Sequence, residues 1–290
     1  GHAWQEGSHE FGGGVSTLQS FKGFLYAGTW EGLLWRSEDG INWTTVLTSP
    51  GGFGSFSVFG NTLYAGTYSH SPEEGTTIYQ TTNGTDWETL VVNGNGDPGA
   101  KGTVAGSTFH NAHYFGIGDW SGEVGGRIWR TDGTTVTAVV GDGFGNPQNY
   151  APGGLTAFGD WIYASISNPD SFQVWRSDSG DEDSWEMVFE FGLGIPGATD
   201  RTGLIVYDSQ LFLTAQNDWS GLTVWRTIDG LDWQQIGFGG FGDSNNGWTE
   251  WGSSLATFDG RLFIGVTNYG NGVEVWAYTP NILWLPLISK

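Results

Sequence analysis

At 290 residues the chain is long enough for one large all-β domain, and its composition points there: 16% of it is aromatic, 17 residues are Trp and 50 are Gly, while only 14% are charged. Ten basic residues against 31 acidic ones give a net charge of -21, which argues against nucleic acid and against an anionic membrane surface. The absence of cysteine rules out disulfides and thiolate metal sites without fixing a compartment, and no apolar run is long enough to span a membrane.

Taken in order, the chain repeats itself. The first unit predicts four strands: a over Val15–Phe21, b over Phe24–Thr29, c over Leu33–Ser37 and d over residues 42–47. Strand b ends in an aromatic followed by small residues, Tyr26-Ala27-Gly28. That anchor returns at Tyr64, Tyr114, Tyr163, Phe212 and Phe263, spaced 38 to 51 residues apart. Strand c runs into a tight turn and a Trp: Ser37-Glu38-Asp39-Gly40 before Trp43. The same sentence recurs at Thr81-Thr82-Asn83-Gly84 before Trp87 and at Thr227-Ile228-Asp229-Gly230 before Trp233. Length variants follow Arg130 and Arg176. A period of 40–50 residues with four strands per unit predicts an all-β fold, a six-bladed β-propeller of four-stranded antiparallel blades. No sustained 3.6-residue period is present, so almost no helix is expected.

The sixth unit reads as strands a to c, ending near residues 273–278, with no fourth strand of its own. Ala3-Trp4-Gln5-Glu6 matches Asp232-Trp233-Gln234-Gln235. Residues 3–6 are therefore expected to complete the last blade and close the ring, which removes the sheet edges. The propeller then spans residues 1–279, and residues 280–290 form a tail outside the repeat. Gly1-His2 reads as a cloning scar, so an export signal could have preceded it. A monomer, secreted or held at the cell surface, is expected.

The repeat resembles the Asp-box, or BNR, repeat of sialidase-like β-propellers. Ser37, Asp39, Gly40 and Trp43 match its pattern, as do Thr227, Asp229, Gly230 and Trp233; Thr81, Asn83, Gly84 and Trp87 match with Asn for Asp. The residue that the family has between Asp and Gly is absent here. The resemblance implies the fold and leaves activity open, because the box staples a turn. Sialidase activity would need an arginine cluster. Arg36, Arg130, Arg176 and Arg226 all follow the strand c aromatic, and Arg201 alone falls in a loop of the opposite face, so sialidase activity is not expected.

The c–d turns share one face with the a–b turns; the b–c and d–a loops share the other. Long Gly-, Asn- and Asp-rich loops at residues 93–101, 141–150 and 237–251 make that second face the candidate binding face. Asp119-Trp120-Ser121-Gly122 reappears as Asp218-Trp219-Ser220-Gly221. Trp beside Asn or Asp suits sugar recognition, the ring covering the C–H face and the polar groups binding hydroxyls. The candidate ligand residues are Trp30, Asp119, Trp120, Asn168, Asn217, Asp218, Trp219, Asn268 and Tyr269, with Asn246 and Trp248 from the 237–251 loop. The leading expectation is a carbohydrate-binding module with no cofactor required. Ca²⁺ is an option on the oxygens of Asp119, Asn168, Asn217, Asp218 and Asn268. The alternatives are a glycoside hydrolase or lyase using Glu10, Asp200, Asp243 and Glu250, and a protein–protein scaffold. His9, His70, His110 and His113 have no metal-site spacing.

Overall fold

The computed structural model describes residues 11–192, 198–248, 254–268, 270–279 and 282–288. The strands β1 (Val15–Phe21), β2 (Phe24–Thr29), β3 (Leu33–Ser37) and β4 (Thr44–Thr48) form an antiparallel meander. The next is β5 (Gly52–Phe59), β6 (Thr62–Tyr68), β7 (Ile78–Thr81) and β8 (Glu88–Val91). The same sheet continues, through pairing of Tyr68 with Gly102, into β9 (Gly102–Phe109), β10 (Ala112–Gly118), β11 (Arg127–Thr131) and β12 (Val136–Val140). Two further meanders follow: β13 (Ala151–Phe158), β14 (Trp161–Asn168), β15 (Ser171–Ser177) and β16 (Glu186–Phe191), then β17 (Ala198–Tyr207), β18 (Gln210–Asn217), β19 (Thr223–Thr227) and β20 (Gln234–Gly237). In the last sheet β21 (Asn246–Trp248) and β22 (Leu255–Phe258) both pair with β23 (Arg261–Asn268), which leads to β24 (Gly272–Thr279) and β25 (Ile282–Ile288). The chain divides into two compact units, Gly1–Thr103 with Thr131–Val136, and Val104–Arg130 with Thr137–Lys290.

The fourth strand of the first meander starts two residues later than its sequence suggests, because the turn claims Asn42 and Trp43. Ser37 Oγ accepts the Gly40 N–H at 2.8 Å, and Asp39 Oδ1 accepts the Ile41 and Asn42 N–H groups at 2.8 and 2.7 Å. Thr227 and Asp229 hold Gly230, Leu231 and Asp232 in the same way. These N–H donors keep the Asp39 and Asp229 carboxyls well below the usual carboxylate range.

The turn glycine has a second reason to be glycine. Gly84 takes φ +79, and a Cβ there would collide with the hydroxyl of Tyr26, which donates to the Gly84 carbonyl at 2.9 Å. A Cβ on Gly230 would likewise collide with the hydroxyl of Tyr163. The anchor aromatic of one meander thus reaches under the turn of the next, which ties the two repeated motifs to each other.

Consecutive meanders share cores. Phe109, Tyr114 and Ile128 pack with Leu155, Ile162 and Ala164, and Tyr163, Phe172 and Val174 pack with Leu211, Leu213 and Trp225. Phe212 and Leu222 pack with Leu262, Ile264 and Trp276. In the first unit Phe21, Tyr26 and Leu34 pack with Phe53, Leu63 and Ala65.

One expectation is corrected. The outer strand of the last sheet is β25, which pairs antiparallel with β24 at Val275 with Ile288, Trp276 with Pro286, and Thr279 with Ile282. The segment read as a tail outside the repeat therefore fills the position assigned to residues 3–6, which lie outside the described residues. The run Ile282-Leu283-Trp284-Leu285 has strong strand character, and Pro286 is tolerated because β25 has a partner on one side.

Candidate functional site

The loops between the second and third strands are organised by the residue that ends or follows the second strand. Asp119 follows β10. Its Oδ1 accepts the Ser121 N–H at 2.9 Å and the Ser121 hydroxyl at 2.6 Å, and its Oδ2 accepts Arg127 Nη1 at 3.2 Å. Arg127 Nη1 also donates to the Gly125 carbonyl at 2.7 Å. The two side chains are 0% and 4% exposed. Burial pushes the Asp119 pKa upward, but the Ser121 and Arg127 donors outweigh it and hold the group below its ordinary value.

Amides do the same work elsewhere. Asn168 Oδ1 accepts the Asp170 N–H, and its Nδ2 donates to Asn149 Oδ1 at 2.9 Å. Asn149 Nδ2 donates to Gln173 Oε1, which also accepts Trp175 Nε1. The last sheet repeats the chain of bonds: Asn268 Nδ2 to Asn246 Oδ1 at 2.8 Å, Asn246 Nδ2 to Glu274 Oε2 at 3.0 Å, and Trp276 Nε1 to Glu274 Oε2 at 2.9 Å. Asn217 Oδ1 accepts the Trp219 and Ser220 N–H groups. Asp119, Asn168, Asn217, Asn246 and Asn268 are all buried. The structure places these five candidate ligand residues beneath the face, as internal staples, because a buried amide or carboxylate must be bonded within the protein. The oxygens named for Ca²⁺ are already engaged: those of Asp119, Asn168, Asn217 and Asn268 with their own turns, and Asp218 Oδ1 with Gln216 Nε2 at 2.7 Å. Among the described residues no group of three or more His, Asp and Glu is arranged to hold a metal ion.

The aromatic candidates fare differently. Trp120 is 36% exposed and borders a pocket of about 360 Å³ lined by Trp120, Ser121, Gln148, Tyr150, Pro169 and Arg201. Its indole lies against β10: a Cβ on Gly118 would sit 2.5 and 2.7 Å from the outer atoms of the ring. Trp219 is 74% exposed and stands free of such a floor. The shared Asp-Trp-Ser-Gly sequence is out of register between the two loops. Asp119 and Asn217 are the matching staples, each accepting the N–H two residues on. Trp120 therefore corresponds to Asp218, and Trp219 is displaced by one residue. Trp30 belongs to the first unit, where it meets Tyr68 edge to face at 6.3 Å. Trp248 is described by its backbone, opposite Thr267 in β23, and Tyr269 lies outside the described residues.

Of the residues singled out in the sequence, the pocket thus gathers Trp120 and Arg201, the latter in β17 and not in the loop expected for it. Gln148 and Tyr150 belong to the 141–150 loop assigned to the binding face, and Pro169 to the loop after Asn168, but none of the three is among the ligand candidates read from the sequence. Of the carboxylates considered for glycosidic chemistry, Asp243 is tied to Asn245 N–H and Asn268 Nδ2 at 3.0 and 2.9 Å. Glu10, Glu250 and the Asp200 side chain lie outside what is described. His70 stands edge-on to Tyr68, His110 stacks on Phe109, and His113 is buried against Phe115. The arginines of the third strands are structural: Arg36 donates to the Gly84 carbonyl, and Arg130 and Arg176 pair with Asp181 and Glu186.

No family model matches the chain, and no curated protein matches it in sequence. Its fold has counterparts among solved structures. A prolyl endopeptidase matches with a TM-score of 0.56 at 13% identity; 95% of this chain is covered, and the chain spans 42% of that protein. A nidogen/laminin complex matches with a TM-score of 0.55 at 13% identity over 92% of both chains. The lectin of Aleuria aurantia, described as a six-bladed β-propeller with a fucose recognition mode, matches with a TM-score of 0.57 at 14% identity over 94% of this chain and 93% of that one. At these identities the likeness is one of fold, and it defines the class: an all-β protein with the β-propeller architecture.

Proposed function

We propose that the protein is a carbohydrate-binding six-bladed β-propeller, secreted or at the cell surface, whose ligand occupies the pocket beside Trp120. The observation that carries this reading is the pocket's composition. A partly exposed indole forms one wall, and Gln148 and Arg201 bring an amide and a guanidinium to it. That pairing of a flat apolar surface with hydrogen-bond donors matches the two sides of a sugar ring. Fold likeness to propellers that include a fucose-recognising lectin supports it. Among the described lining residues there is no carboxylate, so a two-carboxylate hydrolase finds no support at this site. No helix among the described residues is long and apolar enough to cross a membrane.

The closed ring is part of the proposal. Leu155, Leu204 and Leu255 hold matching register positions, opposite Ala164, Leu213 and Ile264, and are 6 to 8% exposed. Leu18, opposite Ala27 in the same register, is 59% exposed, and Phe258, which ends the last first-strand as Phe158 ends β13, is 74% exposed. Each lacks the cover that its counterparts receive from the adjacent meander.

A second reading, a protein-binding scaffold, is favoured by one feature: Trp219 and Phe238 are exposed on loops that touch at Gly221 and Gly240. A printed glycan array, probed with wild type and with Trp120→Ala and Trp219→Ala, tests both. Carbohydrate binding lost with Trp120 alone supports the pocket; no glycan bound by wild type favours the scaffold.

A further inference from the structure

Gly118 has no backbone reason to be glycine. It lies inside β10, its φ is outside the left-handed region, and glycine weakens a strand interior relative to alanine. What distinguishes the position is the approach of Trp120. Residues two apart on an extended chain project to the same side, and the outer atoms of the Trp120 ring come so close to Gly118 that they leave no room for a methyl group.

The chain contains its own comparison. With Asp119 matched to Asn217, Gly118 corresponds to Gln216 and Trp120 to Asp218. At that second pair a side chain fills the floor: Gln216 is 1% exposed and its Nε2 donates to Asp218 Oδ1 at 2.7 Å. The tryptophan of that loop, Trp219, is shifted by one residue and stands in solvent. The same scaffold thus appears in two versions, one with an open floor and a ring packed against the strand, the other with a filled floor and an exposed ring.

We propose that Gly118 is a positioning residue of the Trp120 pocket, acting through the pose of the indole. Its missing side chain lets the indole pack against β10, and the part of the ring left exposed is offered to the apolar C–H side of a saccharide. A larger residue lifts the ring and narrows the space toward Gln148 and Arg201. This rests on the carbohydrate reading above for the ligand, but the pose of the ring can be tested apart from it.

Gly118→Ala is the decisive variant, with Gly118→Gln as the stronger perturbation and Gln216→Ala as the control at the matching position. A Cβ 2.5 Å from the ring must push it about 1 Å outward to restore normal contact of 3.5–4.0 Å. Hydroxyl-radical footprinting of Trp120 should therefore show increased oxidation. Signal on a printed glycan array should fall by about tenfold or more, and the melting temperature should hold or rise, since alanine suits a strand better. Gly118→Gln should abolish array binding, and Gln216→Ala should leave it unchanged. An unchanged Trp120 footprint and array signal in Gly118→Ala would overturn the proposal, as would loss of binding accompanied by a large fall in melting temperature. If Trp120→Ala binds the array as wild type does, the carbohydrate reading of the pocket fails, while the footprint still decides the role of Gly118.

Discussion

Replacing Asp119 with alanine should destabilise the fold far more than loss of a surface loop contact would. The carboxylate is fully buried and holds Arg127, itself 4% exposed, at 3.2 Å. Removing it leaves a buried guanidinium with a lost counter-charge, a situation that costs about 3–5 kcal/mol. The Gly125 carbonyl still accepts from Arg127 Nη1, which favours the lower half of that range. Asp119→Asn keeps an acceptor for Ser121 and should cost less. Removing both charges together in Asp119→Leu/Arg127→Met should recover most of the loss, since an apolar pair of similar shape is close to neutral. Urea denaturation at pH 7 measures each variant, with an unchanged m-value confirming a comparable unfolding transition. The sign of the pH dependence follows from the lowered pKa: the stabilisation is present above the unfolded-state value, about 3.9, and disappears as pH falls through the folded value. A cost below about 1 kcal/mol for Asp119→Ala, or a double variant as unstable as the two single losses added, would refute the buried-pair account.

Other outcomes follow from other parts of the chain. Burial lowers the His113 pKa to about 4, so the unfolded state binds the proton first; stability should fall between about pH 6.5 and 4, by at most about 3 kcal/mol, and a His113→Gln variant should show a flatter profile over that interval in urea melts. Gly230→Ala should destabilise by about 1–3 kcal/mol through its positive φ and the collision with the Tyr163 hydroxyl, and Tyr163→Phe should rescue part of that loss in a double-variant cycle; additive effects would contradict the contact. Deleting residues 281–290 should expose the edge of β24 and Trp276, giving aggregation or loss of cooperative unfolding by calorimetry; a truncated chain that melts like the full one would contradict the pairing of β25. Asp39→Ala should lower the melting temperature slightly and leave the glycan array unchanged, because its bonds lie within a local turn.

Much of the fold was legible because it is encoded locally. Ser37, Asp39 and Gly40 carry a whole turn within four residues, and the anchor tyrosines recur at the spacing of one meander. The edges of β1, β2 and β3 agree with the sequence reading to the residue. The last strand was not legible: β25 lacks the turn motif that precedes the other fourth strands, and Pro286 interrupts its pattern. The site was legible only in part. Asn and Asp beside Trp mark sugar sites and turn staples alike, and only the direction of the side chain separates them; in Asp119, Asn168, Asn217 and Asn268 it points inward. A one-residue offset made Trp120 and Trp219 look equivalent. Gln148 and Tyr150 precede β13, Pro169 follows β14 and Arg201 lies in β17, so no local pattern in the sequence could join all four.

The most direct test of carbohydrate binding at the Trp120 pocket is titration calorimetry with the saccharide that gives the strongest signal on the glycan array, comparing wild type with Trp120→Ala and with Arg201→Gln. Binding by wild type that is lost in Trp120→Ala and weakened about tenfold or more in Arg201→Gln, with melting temperatures within a few degrees of wild type, is the expected result. Equal affinity in all three proteins, or no saccharide bound by wild type at millimolar concentration, would contradict it.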